Sequence, residues 1–240
     1  MWNPQDFEQR YSPKTVSDIV FAEDRSRSLI DQLISGQRPF PMAEDKCGIL
    51  LYGIPGTGKS ALAKLLPDAM EIVRSGNETG NDCVYQRVQP GNNGMTMLEK
   101  ISNHAMLMPY QASQHYYVLD EVDNLNAQAM AVLKSVMNIR GCVFILTTNH
   151  FDKVEPGVRS RCHCIPFNGA PAEKWLPLAH RIMADAGLHG ISDQQLLAVI
   201  QTSKGSARDI RNALIDVVLE VLELQAGNAD LLSPISHSCE

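Results

Sequence analysis

One short segment of the sequence has the residue types and the spacing that bind a polyphosphate. Residues 53–60 (GIPGTGKS) fit the pattern G-x-x-x-x-G-K-[ST], directly after an apolar run and directly before a stretch of helical period. The glycines let backbone N–H groups point at phosphate oxygens, while Lys59 supplies a positive charge and Ser60 a hydroxyl ligand for Mg²⁺. The alternative is a glycine-rich turn with a chance lysine. The predicted contacts of this phosphate loop are Gly53, Pro55, Gly56, Thr57, Gly58, Lys59, Ser60 and Ala61.

Two adjacent carboxylates follow the apolar run 116–119 (YYVL). A parallel sheet presents its ligand-binding residues at the carboxyl ends of its strands, which is where Asp120 and Glu121 lie if the run is a strand. We predict that Asp120 holds Mg²⁺, directly or through water, and that Glu121 orients and deprotonates a water molecule that attacks a γ-phosphate. The alternative is an ordinary strand-ending turn. Asp123 is either a further carboxylate of the site or part of a solvated helix N-terminus.

A third polar group follows the next apolar run along the chain. Thr147-Thr148-Asn149 closes the run 142–147 (CVFILT). If this strand neighbours the strand of Asp120, we expect Asn149 to reach the space beside Glu121 and to position the attacking water. The alternative is a common turn.

The elements that must position these residues follow from the hydrophobic pattern. Short apolar runs alternate with helical stretches between residues 48 and 167, which favours a mostly parallel sheet with helical crossovers. The five predicted strands are 48–52, 70–73, 116–119, 142–147 and 164–167, and the predicted helices are 23–35, 59–68, 95–107 and 126–138. The stretch 75–94 has four glycines and four asparagines in 20 residues and predicts a long exposed loop.

Only helical patterns follow Pro171. We predict helices at 172–186, 192–203 and 206–225, the last with a broad apolar stripe. The predicted fold class is therefore α/β, a five-stranded parallel sheet with flanking helices, followed by a small all-helical domain. The predicted domains are a nucleotide-binding α/β domain at 1–168, a helical domain at 169–226 and a short tail at 227–240.

The composition is that of a soluble globular protein. Of 240 residues, 44% are hydrophobic and 20% charged, and the net charge of −6 provides no overall attraction for nucleic acid or acidic lipid. The opening 18 residues lack the form of a secretory signal, and no run is long enough to span a membrane, so we expect a cytoplasmic protein. The six cysteines are scattered, and we interpret them as reduced thiols; a metal site at Cys162 and Cys164 is the less favoured alternative.

The order of these motifs resembles the AAA+ ATPases. Residues 158–162 (VRSRC) complete the series, and their Ser-Arg-Cys triplet is similar to the small ATPase subunits of DNA polymerase clamp loaders, of the replication factor C and phage types. Further similar segments are 9–15 (the opening motif of that family), 125–133 (the helix after the Asp-Glu strand) and 205–211 (its sensor 2 segment). The resemblance runs from about residue 2 to about residue 220.

The resemblance implies ATP and Mg²⁺ as ligands and assigns three further roles. Asn149 matches sensor 1, Arg161 the arginine finger, and Arg208 the sensor 2 arginine in the first turn of the last helix. Arg161 is then expected to act on the nucleotide of a neighbouring subunit in a homo- or hetero-oligomer. Arg159 competes for that role, and Arg161 could instead be a surface arginine paired with an acid. Alternatively, the neighbouring carboxylate of Asp209 explains the presence of the positive charge of Arg208 in the first turn of the helix.

Clamp-loader subunits carry a third, collar domain, and we expect it to be lacking, because few residues follow the helical domain. Ser12 stands where the opening motif usually has arginine, and the loop 75–94 leaves the DNA contacts unassigned. The expected function is an ATP-driven loader of a sliding clamp onto primed DNA, with no membrane partner. The alternatives are another AAA+ task, such as a helicase loader, a recombination or defence ATPase or a remodeller of a protein partner, and a subunit that binds ATP without hydrolysing it.

Overall fold

The structure is a computed structural model of the chain and describes residues 6–42, 45–89 and 94–231. It divides into two compact units, one of residues 13–170 and one of residues 1–12 together with 171–240. The helices are α1 (Phe7–Tyr11), α2 (Asp24–Ile34), α3 (Lys59–Ser75), α4 (Met95–Ala105), α5 (Ala127–Val136), α6 (Pro156–Ser160), α7 (Leu176–Asp185), α8 (Asp193–Thr202) and α9 (Ala207–Leu231). The strands are β1 (Gly48–Tyr52), β2 (Cys83–Arg87), β3 (His115–Asp120), β4 (Cys142–Thr148) and β5 (Cys162–Pro166). Single 3-10 turns occupy Val16–Asp18, Gly80–Asp82, Val122–Asn124, Phe151–Lys153 and Ala172–Trp175.

The five strands of the α/β unit form one parallel sheet in the order β2-β3-β4-β1-β5. A helix lies in each crossover between successive strands, as is usual for a parallel sheet. Because β3, β4 and β1 are adjacent, the residues that follow their carboxyl ends lie at one edge of the sheet. These are the Asp-Glu pair, the Thr-Thr-Asn segment and the phosphate loop.

Alternate residues of the central strand β1 face two different hydrophobic cores. Leu50 packs in the cluster that contains residues of α4 and α5, whereas Ile49 and Leu51 pack in the cluster that contains residues of α2 and α3. All three leucine and isoleucine side chains are fully buried. The sheet is therefore covered by helices on both faces, which explains the continuous apolar runs of its central strands.

Five strands were predicted and the described part of the chain contains five, but the prediction of a strand at 70–73 was wrong. These residues are the last part of α3, which runs through Pro67 to Ser75. Met70 continues the buried face of that helix, whereas Ile72 and Val73 are 50% and 54% exposed, which a buried central strand would not allow. An apolar run of four residues fits either element, and here the longer helical period decides.

The missing strand lies within the segment that was predicted to be a long loop. β2 (Cys83–Arg87) is an edge strand, and Tyr85, Gln86 and Arg87 are exposed. An edge strand needs few apolar residues, because one side and much of its surface face solvent. The prediction of a loop over 75–94 is thus wrong for 83–87, and its residues 90–93 lie outside the described part of the chain.

The helical unit consists of α7, α8 and α9 together with α1. The Tyr11 hydroxyl donates to Asp185 Oδ2 at 2.8 Å, and Arg10 lies 3.2 Å from the same carboxylate, so the described residues of the first twelve pack with α7. The sequence placed residues 1–12 with the α/β domain, because a short amphipathic helix does not identify its distant partner. Helix α9 continues to Leu231, past the predicted end at 225, and residues 232–240 of the predicted tail lie outside the described residues.

Candidate nucleotide-binding and hydrolysis site

The phosphate loop connects the end of β1 to the first residue of α3. Gly53, Gly56 and Gly58 have φ values of +146°, +80° and +104°, a backbone region that glycine adopts without the steric cost of a side chain. Lys59 is the first helical residue, so the N–H groups of the first turn of α3 have no partner within the helix. The loop therefore has the backbone geometry that a polyphosphate site needs.

Lys59 is buried within this loop, with its ammonium group donating to carbonyl oxygens. Its Nζ lies 2.9 Å from Gly53 O and 2.6 Å from Ile54 O. Burial lowers the pKa of Lys59 to about 8, against the opposing attraction of the Asp120 and Asp123 carboxylates. Neutral carbonyls compensate a buried cation only partly, whereas an anion at the same place would compensate its charge directly. The environment of Lys59 thus fits a phosphate group.

The remaining loop residues hold it against the end of β5. Thr57 Oγ1 lies 3.1 Å from Ile54 O and 3.0 Å from Phe167 O. A Cβ atom at Gly53 would lie only 2.5 Å from the same Phe167 carbonyl oxygen. Pro55 is exposed and Ala61 half-buried.

We expect Gly53→Ala to destabilise the α/β unit more than a matched glycine substitution does. Gly36 also has a positive φ, +72°, but a Cβ there meets nothing within 4 Å. Gly36→Ala should therefore show only the backbone cost, about 1 kcal/mol, whereas the clash at Gly53 should add about 2 kcal/mol. Denaturant unfolding of the two variants measures the difference. An equal loss in both would show that the loop does not depend on its close approach to Phe167.

Asp120 lies at the centre of a set of hydroxyl groups from three elements. Its Oδ1 accepts from Ser60 Oγ at 2.8 Å and from the Thr147 hydroxyl, and its Oδ2 accepts from the Tyr85 hydroxyl at 2.9 Å. Asp120 as a whole is 4% exposed. Ser60 in the first turn of α3 and Asp120 at the end of β3 are therefore close enough to bind one cation together.

These oxygen atoms fit Mg²⁺. Mg²⁺ is commonly held by one or two carboxylates together with substrate phosphates and water, and does not need a cage made only of protein ligands. Among the described residues there is no cluster of three or more His, Cys, Asp and Glu side chains that could form such a cage. Ser60 and Asp120 beside a phosphate loop match the sparser arrangement.

Glu121 follows Asp120 in a left-handed backbone conformation, with φ 60° and ψ 49°. This conformation is rare for a residue with a side chain, and Thr147 Oγ1 supports it by accepting from the Glu121 N–H at 3.0 Å. The carboxylate forms a two-pronged ion pair with Arg87, at 2.7 Å from Nη2 to Oε1 and 3.1 Å from Nε to Oε2. For as long as this pair persists, Arg87 occupies both oxygens of the Glu121 carboxylate.

We expect Arg87→Ala to raise the basal rate of ATP hydrolysis by about two- to fivefold, because an exposed ion pair restrains its carboxylate only weakly. Arg87 is 63% exposed and Glu121 26% exposed. Steady-state phosphate release measures the rate, with Arg25→Ala, at an exposed arginine of α2, as the control. A rate at or below that of the parent would mean that the ion pair does not restrain Glu121.

The Thr-Thr-Asn segment lies beside the Asp-Glu pair, because β3 and β4 are paired in the sheet. Thr148 Oγ1 donates to Asp123 Oδ1 at 2.8 Å, which ties Asp123 to the end of β4. Asn149 follows β4 and is exposed. The structure therefore meets the condition that the prediction for Asn149 set, namely that the two strands are neighbours.

Arg161 lies beside the start of β1, at the end of the strand opposite to the phosphate loop. Its backbone oxygen accepts from the N–H groups of Cys47 and Gly48 at the start of β1, whereas the phosphate loop follows the end of β1. The guanidinium is bound to Asn138 Oδ1 at 2.9 Å and to Gly157 O at 2.8 Å. Within its own subunit Arg161 is thus separated from the phosphate loop by the length of β1.

The other two arginines of the prediction have different surroundings. The guanidinium of Arg159 lies over the Phe151 ring, 4.8 Å from its centroid. Arg208 is the second residue of α9 in the helical unit and is exposed. The Asp209 N–H donates to Ser206 Oγ at 3.3 Å, so Ser206 caps the first turn of that helix.

Three side chains of this region were missed by the sequence reasoning, namely Tyr85, Arg87 and Thr147. Tyr85 and Arg87 are two residues apart on β2, and a strand places such residues on one face. Once β2 is known to pair with β3, that spacing is the signal that both side chains reach the Asp-Glu pair. Thr147 was predicted as the last residue of a strand, with no role of its own in the site, and its hydroxyl links Asp120 to Glu121.

Comparison with known proteins decides the family. A family model described as "ATPase family associated with various cellular activities (AAA)" matches residues 49–168, half of the chain. The chain belongs to this family. Membership implies ATP and Mg²⁺, the ligands that the surroundings of Lys59, Ser60 and Asp120 fit. The AAA assignment made from the order of the motifs is confirmed.

The AAA protein is also similar to replication proteins over most of its length. It is 27% identical over 210 residues to replication factor C small subunit 2 of Pyrobaculum islandicum, covering 86% of this chain and 61% of that protein. It is 27% identical over 215 residues to replication factor C subunit 4 of Caenorhabditis elegans, covering 83% and 59%. The chain thus spans about three fifths of the length of these relatives.

Solved structures support the fold. A RuvB variant of Thermotoga maritima superimposes with a TM-score of 0.65 at 15% identity, over 89% of this chain and 72% of that one. The predicted α/β class with a parallel sheet and a helical C-terminal region is confirmed. Within the described residues, no helix has both the length and the apolar character needed to cross a membrane.

Proposed function

We propose that this AAA protein is an ATP-hydrolysing subunit of the clamp-loader type, which couples ATP binding and hydrolysis to the loading of a ring-shaped partner on DNA in replication. The extent of the similarity to replication factor C small subunits carries this proposal. The alignment covers 210 residues, well beyond the residues 49–168 of the AAA model. The similarity therefore includes residues outside the part shared with the whole family.

In this proposal, the residues 53–61 bind the phosphates of ATP, and Lys59 exchanges its carbonyl partners for phosphate oxygens. Ser60 and Asp120 hold Mg²⁺, which when bound offsets negative charge on the phosphate oxygens. Glu121 leaves Arg87, orients a water molecule and accepts its proton, and Asn149 helps to position that water. The α/β unit, residues 13–170, thus binds and hydrolyses ATP.

The helical domain at 169–226 acts as a lid in this proposal, and the tail at 227–240 has no assigned role. Arg208 contacts the nucleotide phosphates when the lid closes, which would link the nucleotide state to the domain angle. We also propose a cytoplasmic location. The free thiols of the five described cysteines, at positions 47, 83, 142, 162 and 164, are in line with a reducing compartment.

We further propose that the protein works in a homo- or hetero-oligomer, in which Arg161 acts on the nucleotide of a neighbouring subunit. The position of Arg161 at the start of β1, away from its own phosphate loop, supports an action between subunits. Arg161 would have to leave Asn138 and Gly157 to reach a neighbour. The partners of such an assembly are a sliding clamp and primed DNA.

Mixing two inactive variants tests the action between subunits. Arg161→Ala lacks the finger but keeps its own site, whereas Lys59→Ala lacks the site but keeps the finger. We expect a mixture of the two to recover ATP hydrolysis, up to about a quarter of the parent rate for random pairing of neighbours. No recovery at any ratio of the two variants would count against Arg161 as a finger that acts between subunits.

The task of the protein is tested by measuring which macromolecules stimulate its hydrolysis of ATP. ATP turnover is measured with primed DNA alone, with a sliding clamp from the same source alone, and with both. The clamp-loader proposal predicts the largest stimulation when both are present. Stimulation by a protein other than the clamp, with no response to primed DNA, would instead support a different AAA task.

A further inference from the structure

Two side chains of the edge strand β2 contact the carboxylates at the end of β3, those of Asp120, its last residue, and of Glu121, which follows it. Tyr85 and Arg87 lie two residues apart, on one face of the strand. Arg87 binds Glu121, and the Tyr85 hydroxyl donates to Asp120 Oδ2 at 2.9 Å. Arg87 thus binds the proposed general base, Glu121, whereas Tyr85 binds the proposed metal ligand, Asp120.

The two oxygens of Asp120 have different partners. Oδ1 faces Ser60, the other residue of the proposed metal site, and also accepts from Thr147. Oδ2 accepts from Tyr85, and no other described residue donates to it. The terminal torsion of an aspartate side chain is soft, so the rotation of its carboxylate is set by its hydrogen-bond partners. Tyr85 holds Oδ2, and together with Ser60 and Thr147 on Oδ1 it sets the rotation of the Asp120 carboxylate.

Tyr85 is held firmly enough to do this. Its backbone pairs with Val118 in the ladder between β2 and β3. Lys64 belongs to α3, the helix that begins at the phosphate loop, and its ammonium group lies 4.4 Å from the centroid of the Tyr85 ring. The Tyr85 side chain is therefore held in place both by the sheet and by α3.

We propose that Tyr85 is a positioning residue for Mg²⁺, whose hydroxyl fixes the Asp120 carboxylate in the orientation in which it binds the metal together with ATP. The inference rests on the proposed function, since it requires that Asp120 and Ser60 hold Mg²⁺. Residues that orient a metal ligand commonly change metal affinity by about 10- to 100-fold when they are removed. Tyr85 thus tunes the coupling between Mg²⁺ and nucleotide.

Tyr85→Phe is the direct test, because it removes the hydroxyl and keeps the ring. Binding of a fluorescent ATP analogue is titrated at increasing free Mg²⁺ and, separately, in EDTA. We expect the Mg²⁺ midpoint to rise about tenfold, while affinity without Mg²⁺ stays within about twofold of the parent. A purely structural role would change thermal stability and leave the Mg²⁺ midpoint in place.

Tyr117→Phe is the matched control. It removes a tyrosine hydroxyl from the neighbouring strand β3, where that hydroxyl bonds His104 Nδ1 at 2.9 Å. We expect it to lower the melting temperature without moving the Mg²⁺ midpoint. If Tyr85→Phe does not fold, Lys64→Ala serves as a second variant that loosens the ring without touching the hydroxyl, with an expected rise of about twofold to threefold.

The outcomes separate the inference from the proposed function. A Mg²⁺ midpoint of Tyr85→Phe within twofold of the parent, or in its place an unchanged midpoint of Lys64→Ala, overturns the inference alone. An equal loss of affinity with and without Mg²⁺ also overturns it, because the hydroxyl then acts on the fold or on the nucleotide. A parent protein whose nucleotide affinity does not depend on Mg²⁺ overturns the metal site and the inference together, and that result appears without any variant.

Discussion

Replacing Glu121 with Gln should leave ATP binding intact and lower ATP turnover by at least about a hundredfold, the usual contribution of a general base. The amide has the shape of the carboxylate but cannot accept a proton from water. The substitution also removes the ion pair with Arg87, in which Arg87 Nη2 lies 2.7 Å from Glu121 Oε1. If that pair mattered for binding or folding, the nucleotide affinity would fall as well, so the two quantities are measured together.

The control for this variant is Glu99→Gln, the same chemical change at an exposed glutamate of α4. It should match the parent in ATP affinity and in turnover. Equal turnover by Glu121→Gln and the parent would refute the role of Glu121. Weaker ATP binding by Glu121→Gln would show that the side chain contributes to the ground state instead.

Replacing Lys59 with Ala should leave the site mostly empty at ATP concentrations that saturate the parent. Lys59 is 6% exposed and has carbonyl oxygens as its hydrogen-bond partners in the loop, so its charge is available to an anion. Loss of a charge-assisted contact costs about 3 kcal/mol, which corresponds to a dissociation constant about a hundredfold higher. Equilibrium binding of ATP with Mg²⁺ measures the effect.

Lys100→Ala is the control for Lys59, because Lys100 is an exposed lysine of α4 to which no role is assigned. It should retain nucleotide affinity at high Mg²⁺. A melting temperature of Lys59→Ala close to that of the parent excludes collapse of the loop as the cause. Parent-like ATP affinity of a folded Lys59→Ala variant would contradict a phosphate site at residues 53–60.

The residues of the candidate site that share a local motif could be predicted from the sequence. Residues 53–60, Asp120 and Asn149 each follow an apolar run, and the carboxyl end of a parallel strand is where such residues converge. Their partners could not be predicted in the same way. Tyr85 is 35 residues from Asp120, and Arg87 is 34 residues from Glu121. Only the pairing of β2 with β3 brings them together.

The strands of the sheet could likewise be predicted only in part from the sequence. The buried strands β1, β3 and β4 have continuous apolar sequences, so their positions were predicted to within one residue. β2 is an edge strand with polar residues, and its sequence does not differ from that of a loop. The apolar end of α3 was taken for the missing strand, because four residues are too few to distinguish a period of two from a period of 3.6.

ATP hydrolysis at this site is tested most directly by phosphate release from ATP by the purified wild-type chain, with Mg²⁺ and with EDTA, in the presence of primed DNA and a sliding clamp. We expect release that requires Mg²⁺, that is lost in Lys59→Ala and that is lost in Glu121→Gln while ATP stays bound. Release no faster than that of Lys59→Ala under every condition would contradict the claim that residues 53–60, Asp120 and Glu121 form an ATP-hydrolysing site.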